Sequence, residues 1–158
     1  MNALKKLFKS FYYAFRGVAY CIRDCRNFRT HIVATLFVLA FSRYFEFGAT
    51  EYAVLFLTFG SVLTAEAFNC ALEHACDSVT QEYSEKIKLA KDSAAAAVLI
   101  CAIFSVGVAV SFFAKPNVIV MILKDIAASP IKILLFALFF ILSVIFIFYK
   151  EFFKNGKK

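Results

Sequence analysis

Glu66, Asn69, Glu73 and Asp77 fall in the stretch AEAFNCALEHACD, Ala65 to Asp77, at spacings of three, four and four. At about 100° per residue, the four side chains share a helical arc of roughly 80°. One helix face therefore carries three carboxylates and an amide. The residues before it, Tyr52 to Thr64, are almost wholly apolar, so the face begins inside a segment that reads as membrane-spanning. Ionisable groups at that depth are costly, and are kept where they meet a metal ion, a proton pathway or a substrate. Carboxylates leading from lipid toward water suit the transfer of phosphate from a soluble donor to a lipid alcohol. That chemistry needs a base at membrane depth, an oxygen ligand for magnesium nearer water, and a cation for the phosphates. Glu66, Glu73 and Lys91 match those roles in order. The structural alternative is that Glu66 and Glu73 pair with Arg23, Arg26 or Arg29 and only fix the helices together.

The elements that must position this face belong to a small integral membrane protein. In 158 residues, 62% are hydrophobic and 18% aromatic, which is too apolar for a soluble domain of this size. Every polar stretch is short, so the chain holds one all-α bundle and no separate soluble domain. The net charge is +7 and uneven: residues 1–31 contain Lys5, Lys6, Lys9, Arg16, Arg23, Arg26 and Arg29 against Asp24 alone. That pattern suits anionic lipid headgroups or nucleotide phosphates, and nucleic acid is not an expected partner. The five cysteines (Cys21, Cys25, Cys70, Cys76 and Cys101) form no CxxC and read as reduced, mostly structural thiols.

From Leu4 to Ile22, apolar residues recur at three and four with basic residues to one side, predicting an amphipathic helix in the membrane interface. No apolar core or cleavage site of a signal peptide follows it. Spans are expected at about His31–Phe47, Tyr52–Thr80, Ser93–Ala114 and Pro130–Tyr149. The polar connector QEYSEKIKLAKD should be an ordered turn or helical extension, and a short amphipathic piece should fill the stretch from Pro116 to Ala128. Residues 1–116 thus form a core of surface helix and three spans, and 117–158 an extension with a fourth span and a basic tail. Charge distribution puts both termini and the connector 78–92 on the cytoplasmic side of a bacterial inner membrane, although Lys115, Lys124 and Lys132 fall on the other side.

AEAFNCALEHACD, the EYS at Glu82 to Ser84 and AKDSAAAAVLI from Ala90 together resemble the prokaryotic diacylglycerol kinase family, which includes undecaprenol kinases. FYYAFRGVAYCIRDCRNFRTH also resembles that family's surface helix and entry to the first span, and RNFRTH leans toward the undecaprenol type. The resemblance covers about residues 4–116. It implies a homotrimer of three-span subunits whose active sites draw on neighbouring subunits and use ATP, magnesium and a membrane lipid alcohol, diacylglycerol or undecaprenol. At matching positions it implies Glu66 as general base on the lipid hydroxyl and Glu73 as a magnesium ligand that also contacts ATP. Lys91 and Asp92 match nucleotide contacts, Tyr13 and Glu82 lesser ATP contacts, and Asn69 and Asp77 supporting hydrogen-bonding positions. For Asp77, a helix cap or ion pair explains the residue equally well.

Three departures from the family pattern stand out. Where the family has a second metal-binding Glu, this chain has Cys25, and thiolate is a soft ligand poorly suited to magnesium. Asp24 is adjacent, but on a continuous helix it lies some 150° from the centre of the apolar stripe, against about 60° for Cys25. It can substitute only if the helix breaks there. Ala95 stands where the family usually has a Ser near the lipid head, and the fourth span is an addition. Cys25 and Ala95 keep open an impaired relative acting as a membrane scaffold or lipid-binding protein. Glu66 and Glu73 alone would also suit a small proton-relay transporter. Cys70 and His74, with Cys21 and Cys25 at the same spacing, form a further candidate as a zinc site between two helices.

Overall fold

The computed structural model describes residues 3–79 and 82–155, the side chains of residues 151–155 excepted. Six helices follow in order: α1 (Ala3–Asp24), α2 (Arg26–Ser42), α3 (Ala49–Val79), α4 (Glu85–Phe113), α5 (Pro116–Ala127) and α6 (Pro130–Asn155). The expected end of the second span at Thr80 and the last residues of the basic tail lie outside the described residues. The fold is that of an all-α integral membrane protein, with α3, α4 and α6 each long and apolar enough to cross a membrane.

The first expected span is displaced. α2 occupies Arg26–Ser42 rather than His31–Phe47, because the chain begins its reversal at Arg43 and Tyr44. Glu46 takes a left-handed conformation, φ 53°, in that reversal, and Gly48 then donates its N–H to Glu51 Oε2 at 3.0 Å to open α3. With 17 residues, α2 is about 25 Å long against a hydrocarbon core of roughly 30 Å, so it falls short of a full span by itself. The connector resolves as the expected helical extension, since α4 already begins at Glu85.

α1 keeps its apolar stripe exposed, with Leu4, Leu7, Phe8, Phe11 and Phe15 all facing outward, as an interfacial helix requires. It ends at Asp24 because Cys25 is extended (φ −106°, ψ 107°), which turns the chain into α2. α3 and α4 pack as the most extensive helix pair, and α2 lies against both α3 and α6. At the far end, Phe45, Phe47, Phe112 and Phe113 form an aromatic cluster that closes the α2–α3 turn on the end of α4. Near it, Asp125 of α5 accepts from Tyr44 at 3.0 Å and from Lys132 of α6 at 2.6 Å.

α6 runs antiparallel to α2. Phe136 and Phe139 meet Phe37 and Phe41 midway, and Ile147 reaches Arg29 at the start of α2. Arg29 is 1% exposed. Its guanidinium donates to the Ile147 carbonyl at 3.0 and 2.8 Å, and to the carbonyls of Ile22 and Arg23 at 3.0 and 3.1 Å. The Tyr149 hydroxyl donates to the Arg23 carbonyl at 2.7 Å, and Lys150 pairs with Asp24 at 2.7 Å. These contacts pin the end of α6 to the break between α1 and α2 and satisfy carbonyls that the end of α1 leaves without helical partners. The C-terminal part of α6 and the end of α1 therefore share one end of the bundle.

Arg29→Met should destabilise the protein by about 2–4 kcal/mol, because charge-assisted hydrogen bonds are lost and buried carbonyls are left unpaired. Thermal unfolding in detergent measures this. The Asp24 carboxyl is held below its ordinary range by the hydrogen bond from Lys150, with Arg23 adding to the effect. A depressed carboxyl contributes stability above its unfolded pKa of about 3.9 and loses it as pH falls through the lower folded value. The difference in unfolding midpoint between the parent and Asp24→Asn should accordingly be present at neutral pH and shrink below about pH 4.

Candidate functional site

The α3 face forms as its spacing requires. Glu66 and Asn69 are buried, at 2% and 4% exposure, while Glu73 and Asp77 are exposed toward the end of the helix. Asn69 Nδ2 donates to Glu73 Oε1 at 3.1 Å, which orients the Glu73 carboxylate along the face. Glu66 Oε2 and Asn69 Oδ1 have no hydrogen-bond partner among the described residues. Buried oxygens in that state are costly and lack a donor or a cation.

The arginines offered by the structural alternative are engaged elsewhere. Arg23 pairs with Asp24, Arg26 lies over Phe148, and Arg29 bonds the carbonyls described above. Asp77 instead forms an ion pair with Lys91 of α4, so the face continues onto the next helix. Lys91, Asp92, Glu82, Ser84 and Asp77 line an open, polar cleft of about 480 Å³ at the α3–α4 connection. A second cleft, about 780 Å³, lies between α1 and α3 and is lined by apolar or small residues including Gly17, Val18, Phe28, Leu63 and Ala67. The apolar cleft runs along the same stretch of α3 as Glu66 but over the adjoining side of the helix, through Leu63, Ala67 and Ala71, while the charged cleft lies at the Asp77 end.

Two predicted site residues stand apart from this arrangement within one chain. Tyr13 lies with Arg16 and Arg23 on a separate surface of α1, between the side chains of Lys9 and Arg16. Ala95 is exposed on α4. The helix does break next to Asp24, as a ligand role for that residue demands, yet Lys150 and Arg23 occupy its carboxylate. Cys25 is not a free thiol either. It is joined to Cys70 in a disulfide, which corrects the expectation that all five cysteines are reduced. The extended backbone at Cys25 turns its side chain toward α3, where Cys70 follows Asn69. The Cys21, Cys25 and Cys70 sulfurs lie within 4.8 Å of one another, whereas His74, the fourth member of the zinc candidate, packs edge-on to Tyr20. Burial pushes the Cys21 thiol above its ordinary range, and the Glu66 charge adds to that shift.

Residues 12–113 match the family described as prokaryotic diacylglycerol kinase. The chain belongs to that family. It is 38% identical over 104 residues to the undecaprenol kinase of Bacillus subtilis strain 168, covering 66% of this chain and 85% of that protein. It is 43% identical over 101 residues to a diacylglycerol kinase of Synechocystis, covering 63% of this chain and 58% of that protein. A diacylglycerol kinase of Helicobacter pylori strain 26695 is 31% identical over 103 residues, 65% of this chain and 80% of that protein. The family match ends at Phe113, so α5 and α6 lie beyond it.

Asn69→Ala removes the donor that orients Glu73 and should cost about 1 kcal/mol. Asp77→Asn breaks a solvent-exposed ion pair and should cost less than about 1 kcal/mol. Denaturation midpoints of the two variants, measured side by side in one detergent, check the order.

Proposed function

We propose that this protein is an ATP- and magnesium-dependent lipid kinase that phosphorylates a membrane alcohol, diacylglycerol or undecaprenol. The observation that carries the reading is the single α3 face, with the unpartnered, buried Glu66 at its deep end and the Lys91 and Asp92 cleft at its water-facing end. Membership of the family and the names of the two kinds of relative support it.

In this mechanism the lipid tail occupies the apolar α1–α3 cleft, which presents the hydroxyl to Glu66. The Glu66 carboxylate accepts the hydroxyl proton as the lipid oxygen attacks the γ-phosphorus, and the bond to the ADP oxygen breaks in line. Lys91 holds phosphate charge and Asp92 contacts the nucleotide, with Glu82 and Tyr13 as outer contacts. Asn69 holds Glu73 in place at 3.1 Å. The hard oxygens of Glu73 and the unpartnered Asn69 Oδ1 fit magnesium, which takes few protein carboxylates and completes its shell with phosphate oxygens and water. When bound, the ion neutralises charge on the transferring phosphate.

A homotrimer belongs to the same proposal. Tyr13 and the Lys91 cleft occupy different surfaces of one chain, and α4 buries none of its residues within that chain. We also infer a bacterial inner-membrane location with the α1–α2 junction cytoplasmic. The end of the bundle holding Arg23, Arg26, Lys86, Lys88 and Lys150 is richer in exposed cations than the end holding Arg43, Lys115, Lys124 and Lys132.

Glu66→Gln should lower phosphoryl transfer about 10²-fold to 10⁴-fold while ATP binding persists, because an amide keeps the shape but accepts no proton. Glu73→Gln should lose activity in a way that raised magnesium partly restores. Labelled-ATP assays on purified protein with each alcohol measure both, and full activity in Glu66→Gln would remove it as the base. For orientation, Asn155→Cys in a background without native cysteines should resist an impermeant thiol reagent in intact cells; labelling without permeabilisation would put that end outside.

A further inference from the structure

We propose that Cys25 and Cys70 are a redox-controlled latch that ties the break between α1 and α2 to α3 beside the buried Glu66 and Asn69. The pairing is long-range, with a sequence separation of 45 and a Cα–Cα distance of 6.3 Å, inside the range that a disulfide bridges. Cys25 is the single extended residue between two helices, so its side chain moves with the junction. Cys70 is 1% exposed and packed in a small core with Cys21 and Phe28, so its position is fixed. The bond therefore joins the junction between α1 and α2 to a buried residue of α3.

The junction emerges at the cation-rich end of the bundle, where Arg23 and Arg26 are exposed and Cys25 is half-buried. A disulfide reachable from the bundle's aqueous end exchanges with soluble thiols more readily than a sealed structural one. The co-reactant is a low-molecular-weight disulfide such as oxidised glutathione. The Cys25 sulfur, losing its proton, attacks one glutathione sulfur, and the glutathione S–S bond breaks to release one glutathione thiol. The Cys70 sulfur, losing its proton, then attacks the Cys25 sulfur of the mixed disulfide and releases the second. Two electrons and two protons pass from the cysteine pair to glutathione, and excess glutathione thiol reverses both steps. In the bonded state the end of α1 is clamped on α3 and the cleft lined by Cys21 and Ala67 is held at its observed width. In the reduced state that covalent tie is gone and α1 is held by the Arg29, Asp24 and Tyr149 contacts and by Tyr20 against His74, so its end packs less tightly on α3.

The latch is independent of the kinase reading, and its test measures no phosphoryl transfer. Full-length protein in lipid nanodiscs is equilibrated with glutathione buffers from reducing to oxidising, quenched in acid, denatured and alkylated, and its thiols are counted by mass. The parent should pass from five reactive thiols to three in one two-thiol step, with peptide mapping linking Cys25 to Cys70. Amide hydrogen exchange in residues 14–21 should be slower in the oxidised form, by roughly fivefold or more. Cys70→Ala and Cys25→Ala should each show four thiols in every buffer, with α1 exchanging at the reduced parent's rate throughout. Five thiols in the parent at every poise, or exchange in α1 that ignores the redox state, would overturn the latch. So would one retained equivalent of zinc in the parent as purified that Cys21→Ser releases, since the three sulfurs would then be a thiolate metal site.

Discussion

A guanidinium taken out of solvent has to find acceptors, and Arg29 finds them at the meeting point of three helices. Its donors reach Ile22 and Arg23 at the end of α1, and Ile147 on α6. The helix break at Cys25 leaves carbonyls of α1 without partners, and the arginine supplies donors to them. A charge with these partners is strongly directional, because each lost hydrogen bond would leave either a buried cation or a buried carbonyl exposed to an apolar environment. The angle between the surface helix and the bundle is consequently set by one side chain and braced by Tyr149 and Lys150. That angle determines the cleft between α1 and α3, which runs along the stretch of α3 that also carries Glu66.

The α3 face works through a gradient in environment along a single helix. Glu66 is held in the interior with an oxygen unsatisfied, Asn69 hands a hydrogen bond to Glu73, and Asp77 meets Lys91 where solvent reaches both. The deep end is closed off from solvent, and the shallow end is open to it and carries an ion pair. One run of carboxylates can thus offer proton acceptance at depth and cation binding near water, without any change of residue type beyond a single amide.

How much of this could be read beforehand depended on the range of each interaction. The face at residues 66, 69, 73 and 77 was legible because helical spacing alone decides which side chains share a side. The surface helix, the spans of α3, α4 and α6, and the short α5 were legible from apolar periodicity and from Pro116 and Pro130 at helix starts. The break at Cys25 was not, since the apolar pattern passes through it without Gly or Pro. α2 was misplaced because its apolar composition extends into Phe45 and Phe47, which serve the aromatic cluster after the turn instead. The Arg29–Ile147 contact spans 118 residues and ends on a backbone carbonyl, which leaves no mark in residue type. The Cys25–Cys70 bond likewise obeys no local spacing, and Asp24 offered no sign that a lysine 126 positions later would claim it.

The docking of α6 has a practical side. Lys150 is bonded to Asp24, so the C-terminal part of α6 is anchored beside the surface helix. Affinity handles or fluorescent fusions appended there are tethered within a few residues of a contact that sets the tilt of α1. A bulky appendage pulls on that contact, and a protease that trims the end frees it. For this protein, the amino terminus of α1 is the end to which cargo can be attached with least mechanical consequence.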